Sequence, residues 1–475
     1  MEANMKTHIA FVSVPIYSHL LSMIEFCKRL IHLHRHFHCT IIIPTVESSG
    51  NAQKALLEGL PSTSSIQYIF LPPPNINDVV SHETNPAALV QISMYRSLPN
   101  IYEELNKLFV SEMSPVGTVV VDALLDQVVE FANDQNALSF VYFPSTAMML
   151  SLCLYSSELD KAVSCEFKDL TEPIKIPGCV PVHGSDLPDS LQDRSNQEYQ
   201  IFLQAGQRFH KANGVLVNTF SELEPGPLRA IREGPGPIVY PVGPITQNAA
   251  ESSTHDCLKW LDKKPHNSVI YVCFGSGGTL SQEQLDELAM GLELSGQNFL
   301  WVYKPPSKFG TVADVGAENN DPLQYLPSGF LERTQEQGMV VPFWAPQAQV
   351  LNHMAIGGYV CHCGWNSIVE SIINGVPLIA WPLFAEQTLN AAMVSDALKV
   401  ALRPKCKDQG IVERHKIAKL VKRLIRGEEG EAFRHRMNEL KLAASKALQE
   451  QGSSTRALSE FALKCKSFMN KKTSV

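Results

Sequence analysis

The stretch from Trp344 to Gln387, WAPQAQVLNHMAIGGYVCHCGWNSIVESIINGVPLIAWPLFAEQ, decides how the chain is organised. Within it Trp365, Ile368, Val369, Ile372 and Ile373 recur at i, i+3, i+4, i+7 and i+8, the apolar stripe of a helix lying on a sheet. The spacing predicts a helix from Gly364 to Asn374, with Asn366, Glu370 and Asn374 on its other face and Gly375-Val376-Pro377 as its stop. Apolar strands flank it, Gly358 to Cys361 before and Val376 to Trp381 after. In open α/β sheets ligands bind beyond the carboxyl ends of such strands.

His362, Gly364, Asn366 and Ser367 fall at the N-terminus of that helix, where free amides and the helix dipole favour an anion. Gly364 allows a phosphate to approach the backbone. Glu370, one turn in, suits ribose hydroxyls, and Glu386 with Gln387 past the next strand forms an acid and amide pair suited to sugar hydroxyls. The strand Gly338 to Phe343 puts Trp344 at its carboxyl end, offering a flat face on which a base would gain roughly 1–3 kcal/mol by stacking. A core tryptophan is the plainer alternative.

Upstream, Ser268 to Phe274 reads as a strand followed by the turn Gly275-Ser276-Gly277-Gly278, and Ser281 with Gln284 forms a capping box for the next helix. The turn lacks the full dinucleotide fingerprint and its downstream ribose acid, so a second phosphate-facing turn with Ser276 as donor is expected instead. Phe299 to Tyr303 is the next strand, and Pro305-Pro306 opens a polar loop, expected to be mobile, to about Asp321.

The first half alternates strands and helices in the manner of a parallel doubly wound sheet. Strands are predicted at His8 to Pro15, Cys39 to Pro44, Ile66 to Leu71, Thr118 to Val121, Ser139 to Phe143 and Gly214 to Asn218, with helices at Ser18 to Leu33 and around Ala87 to Phe109. His19, Asp122 and Thr146 stand just past strand ends. Glu233 to Pro244, EGPGPIVYPVGP, followed by the polar stretch Thr246 to Thr254, reads as an interdomain linker.

The box from Trp344 to Gln387, with its WAPQ, HCGWNS, following Glu370 and terminal Glu386-Gln387, resembles the signature of plant secondary-product glycosyltransferases, the UDP-sugar-dependent family 1 enzymes. The resemblance implies a GT-B fold, two Rossmann-like doubly wound α/β domains facing each other across a cleft. It implies an acceptor domain over residues 1–245, onto which a last helix around 454–475 packs back, and a UDP-sugar domain over 246–453. The donor would be held by Ser276, Trp344, Ala345, Gln347, His362, Gly364, Trp365, Asn366, Ser367, Glu370, Glu386 and Gln387, with Thr146 reaching in from the first domain. His19 would be the general base, with Asp122 orienting its ring. No metal is implied, because the helix N-terminus and His362 would stabilise the leaving diphosphate. A terminal Gln387 goes with UDP-glucose as donor, and direct attack on it inverts the anomeric centre.

Phe143-Pro144-Ser145-Thr146-Ala147 and Arg96-Ser97-Leu98-Pro99 point to the subgroup acting on small, hydrophobic phenolic or flavonoid-type acceptors, with hydroquinone-type enzymes nearest. The chain departs from the family pattern at Cys361, usually Thr or another small residue, and around His19, where Ser18 and Ser22 replace the usual Gly and Pro. Those two positions motivate the competing reading, a UDP-sugar-binding protein with weak or lost transfer. A UDP-sugar epimerase is a more distant third.

Composition agrees with this outline. At 475 residues the chain is long enough for two domains, and 44% apolar residues suffice for their cores. A formal net charge of −8 argues against nucleic acid or an anionic membrane as partner. Eleven cysteines without framework spacing read as reduced thiols. Cys361-His362-Cys363 lacks a second ligand pair at zinc spacing, and His32, His34, His36 and His38 lack completing thiolates or carboxylates, so neither is expected to hold a metal. The basic face of Lys416, Lys419, Lys422, Arg423 and Arg426 is followed at once by Glu428, Glu429 and Glu431 and reads as solvated. Lys6 and the apolar Ile9 to Val14 end at Pro15 without a small-residue cleavage site, and no run of 18 apolar residues occurs. A cytoplasmic monomer without a transmembrane segment is the expectation.

Overall fold

The computed structural model describes residues 6–46, 65–76, 78, 86–111, 115–247, 255–313, 321–404 and 410–473. Two parallel sheets organise it. The first contains β1 (Thr7–Val12), β2 (Phe37–Pro44), β3 (Ile66–Leu71), β4 (Val116–Asp122), β5 (Leu138–Phe143), β6 (Gly214–Val217) and β7 (Val239–Pro241), in the order β3-β2-β1-β4-β5-β6-β7. The second contains β8 (Val269–Cys273), β9 (Asn298–Tyr303), β10 (Gly338–Pro342), β11 (Ile356–Cys361), β12 (Leu378–Ala380) and β13 (Ala401–Leu402), in the order β10-β9-β8-β11-β12-β13. Their inner strands are continuous apolar runs because helices cover both faces, leaving no wet side for polar residues to alternate onto.

In each sheet the strand order reverses direction between two neighbours, and the loops after those neighbours part to leave a crevice. In the first sheet the neighbours are β1 and β4, with Val12 opposite Val121. In the second they are β8 and β11, with Cys361 opposite Cys273. His19 follows β1 and Asp122 ends β4; Ser276 follows β8 and His362 follows β11. Topology alone therefore brings each of these pairs to one edge.

The first part of the segment expected to be a linker belongs to the first sheet, while residues 248–254 of its polar continuation lie outside the described residues. Val239 to Pro241 pairs with β6, and the Asn218 side chain accepts from the Ile245 amide at 2.7 Å and donates to its carbonyl at 3.1 Å. Prolines are tolerated there because β7 is an edge strand, whose outer side needs no donors. The first part of the polar loop after Pro305 is tied to the turn after β8, since Thr279 donates to Thr311 O and Ala313 to Gly277 O, both at 2.9 Å; residues 314–320 lie outside the described residues.

The last helix, Ser453–Thr473, packs on the first sheet rather than the second. Leu458, Phe461 and Cys465 are fully buried with Phe26, Phe140 and Tyr240, and the Phe461 ring meets Phe140 edge-on at 4.8 Å. Arg29 Nη1 donates to Val242 O at 2.8 Å and Ser454 Oγ at 2.9 Å, while Nη2 donates to Thr455 Oγ1 at 3.1 Å. Nearby, His34 shares a hydrogen bond with Ser459 at 3.2 Å, so part of the histidine tract seats this helix.

Candidate active site

The helix Tyr17–Leu33 begins with His19 in its first turn, and His19 Nδ1 lies 2.9 Å from Asp122 Oδ2. Asp122 is fully buried, and its other oxygen accepts from the Leu124 amide at 3.0 Å, which fixes the carboxylate at the head of a short 3-10 turn. With Nδ1–H donating to the carboxylate, Nε2 keeps its lone pair. Burial disfavours a charged ring, but the charge and hydrogen bond of Asp122, helped by the more distant Glu386, outweigh it and raise the His19 pKa above the ordinary histidine value.

Across from it the helix Trp365–Asn374 starts at Gly364 with no side chain capping its first amides, which leaves them free for an anion. The His362 ring is enclosed by two glycines: a Cβ on Gly275 would stand 2.6 Å from it, and one on Gly364 would stand 2.4 Å from its Nε2. Any side chain at either position would evict the imidazole. His362 Nδ1 and Asn366 Oδ1 are buried without a hydrogen-bond partner, two open valences beside one helix N-terminus. The same Asn366 donates through Nδ2 to Ser18 O at 2.9 Å, so the anion seat is bonded to the residue next to His19.

Gln347 lies at the centre of a local network. Its Nε2 donates to Glu370 Oε2 at 2.7 Å and Ser367 Oγ at 3.1 Å, and its Oε1 accepts from Tyr359 Oη at 3.0 Å. Burial raises the Glu370 pKa while the Gln347 bond works against that rise. Trp344 is 59% exposed and meets His255 edge-on, which excludes the core-tryptophan reading. Ser276 is exposed in its turn. Glu386 opens the helix Gln387–Ala392 and accepts from Asn390 Nδ2 at 3.3 Å. Gln387 is buried, its Oε1 accepting from the amides of Leu383 at 2.9 Å and Phe384 at 3.2 Å.

Two expected donor contacts are not presented this way. The Trp365 indole is buried and its Nε1 donates to Asn218 O at 2.7 Å, a bond between the halves; an apolar stripe position on a sheet-packed helix leaves the ring no open side. Thr146 is fully buried and its Oγ1 accepts from the Met149 amide at 2.8 Å, capping the helix Ala147–Ala162. Ala345 is buried and has only its backbone to offer. Ser22 shares a 2.6 Å hydrogen bond with Tyr142 Oη in the core, so its hydroxyl is not part of an acceptor wall.

The sequence model described as UDP-glucoronosyl and UDP-glucosyl transferase matches residues 232–428, which include the whole box. The chain is 45% identical over 463 residues to a hydroquinone glucosyltransferase of Rauvolfia serpentina, covering 96% of this chain and 97% of that one. The chain belongs to the UDP-glucosyl transferase family. Its structure is similar to that of Phytolacca americana UGT2 complexed with UDP-2fluoro-glucose and pterostilbene, with a TM-score of 0.86, 41% identity and 98% and 100% of the two chains covered. It is also similar to a Polygonum tinctorium UDP-glucosyltransferase capable of glucosylating indoxyl, in complex with 3,4-dichloroaniline, with a TM-score of 0.88, 43% identity and 97% and 99% covered.

The transferase thus has the GT-B fold, with the first turn of the helix Trp365–Asn374 in one half bonded to the residue before His19 in the other. Among its described residues no helix is long and apolar enough to cross a membrane. Sequence reasoning missed several residues that hold the transferase site together. Asn218 receives the Trp365 indole, Glu224 caps the helix after Thr146, and Asp189 grips Ala385 beside Glu386. Asn218 stands directly after β6, where the strand-end rule could have found it. Asp189 lies in an irregular segment with no periodic signal.

Proposed function

We propose that the enzyme transfers glucose from UDP-glucose, with inversion, to a hydroxyl of a small phenolic acceptor, forming a β-glucoside. His19 Nε2 takes the acceptor proton, Asp122 holds and stabilises the charged ring, and the acceptor oxygen attacks the anomeric carbon from the side opposite the leaving UDP. The free amides of the helix Trp365–Asn374, His362 and Asn366 stabilise the departing diphosphate, so no metal takes part. Trp344 stacks the uracil, Glu370 serves the ribose, and Glu386 with Gln387 binds the sugar.

The observation that carries this reading is the bond from Asn366 to Ser18, which joins the anion seat to the residue beside a histidine already paired with Asp122. The likeness to a hydroquinone glucosyltransferase and to an enzyme complexed with pterostilbene supports a phenolic acceptor. We take residues 1–245 with the last helix as the acceptor unit and 246–453 as the donor unit, working as a cytoplasmic monomer.

Purified protein given UDP-glucose and a panel of phenols should release UDP only when phenol is present, with a product one hexose heavier and β-linked. EDTA should leave the rate unchanged. Tight UDP binding without turnover would favour a binding protein, and conversion of the UDP-sugar without acceptor would favour an epimerase.

A further inference from the structure

Lys304 follows β9 immediately, and its ammonium turns under the Gly275-Ser276-Gly277-Gly278 turn that follows β8. Its Nζ donates to Gly275 O at 2.6 Å and to Ser276 O at 2.5 Å. No carboxylate among the described residues pairs with it, although burial lowers its pKa from the ordinary lysine value. A half-buried cation set against carbonyl dipoles, with no carboxylate beside it, is costly to keep, and an anion nearby would offset that cost.

The two accepted carbonyls have a geometric consequence. In a trans peptide the C=O and N–H point in opposite directions, so a cation that draws in the carbonyls of Gly275 and Ser276 turns the amides of Ser276 and Gly277 the other way. Those two amides belong to exposed residues and donate to no described group. The space around Gly277 is open, with no atom within 4 Å of where a Cβ would stand. Gly275, at φ +76°, allows the reversal and lies against the His362 ring. Successive amides aimed the same way form a concave anion receptor. Behind them the turn is held by Thr279 Oγ1 donating to Pro305 O at 2.8 Å and by Ala313 donating to Gly277 O.

We infer that Lys304 is a positioning residue for the transfer reaction: it holds the carbonyls of Gly275 and Ser276 inward so that the amides of Ser276 and Gly277 face the donor diphosphate, and it adds positive charge beneath them. This inference rests on the donor seat proposed above. It assigns the lysine a role on the phosphates, not on the base or the sugar.

The test compares UDP with uridine binding, by calorimetry on the full-length protein. In Lys304→Met, UDP affinity should fall by roughly tenfold or more, the worth of one or two charge-assisted hydrogen bonds, while uridine affinity stays unchanged. If UDP and uridine affinities change by the same factor, or neither changes, the positioning role is overturned. Should Lys304→Met fail to fold, Lys304→Gln, which keeps a donor for one carbonyl but no charge, is read by the same ratio. A wild-type protein that binds no UDP would instead overturn the proposed function, so the two failures are distinguishable.

Discussion

The pairing of His19 with Asp122 makes the proposed base sensitive to one charge, and predictions follow from it. His19→Ala should lower turnover on a weakly acidic phenol by roughly 10²–10⁴-fold while UDP still binds, and the loss should be much smaller on a phenol already ionised near neutral pH. Because the folded pKa of His19 is raised, its neutral form prevails only above the ordinary histidine value, and the acid limb of kcat/KM should be shifted upward from that value. Asp122→Asn removes the charge that raises it, so that limb should move to lower pH as the rate falls; a limb that stays or moves upward would contradict the pairing. Gln387→Ala should weaken UDP-glucose binding by roughly tenfold and leave UDP binding nearly intact, checked by calorimetry with both ligands. At this scale the strand-end rule made His19, Asp122, Ser276 and Trp344 legible in the sequence. What it left unread depends on side-chain direction: that Trp365 turns inward, that Gln347 bonds Glu370, and that Gln387 uses its oxygen on its own loop.

Among elements, the helix Trp365–Asn374 was the clearest to read because its apolar stripe and glycine stop agree. β7 was the hardest, since three residues among prolines and glycines carry the composition of a linker and become a strand only by pairing with β6. The helix Ala147–Ala162 shows a similar limit. Its start is fixed by Glu224, 77 residues from Ala147 in sequence, whose carboxylate accepts from the amides of Ala147 and Met148 at 2.9 Å each. Glu224→Ala leaves two buried donors unpaired and should cost about 2–5 kcal/mol in urea unfolding at pH 7, with Glu224→Gln costing less. Burial raises the Glu224 pKa in the folded protein, so the folded state binds the extra proton between the ordinary glutamate value and the raised one. The contribution of this group to stability therefore declines as pH climbs through that window, and Glu224→Gln should flatten the decline.

The whole molecule depends on contacts between the halves that no single segment encodes. Besides the Trp365 and Asn366 bonds, Ala385 donates to Asp189 Oδ2 at 2.7 Å, Asp189 donates to Ala385 O at 3.1 Å, and Arg403 pairs with Asp186 at 2.6 Å. Ala385 sits at φ +58°, an uncommon conformation for a residue with a Cβ, and it immediately precedes Glu386 and Gln387. The first half thus holds the loop that carries the pair proposed to bind the sugar. Asp189→Ala should raise KM for UDP-glucose several-fold, with UDP affinity unchanged by calorimetry; an equal loss for both ligands would place its effect on the phosphates instead. Arg29 shows where such closure must get its accuracy. Its guanidinium grips Val242 just before the chain leaves for the second half and Ser454 and Thr455 just after it returns, so both crossings are moored to one post. A body tethered at a single point can swivel as well as swing. The tether fixes where the second half is attached, and the bonds at Asp186 and Asp189 fix the angle at which it faces the first.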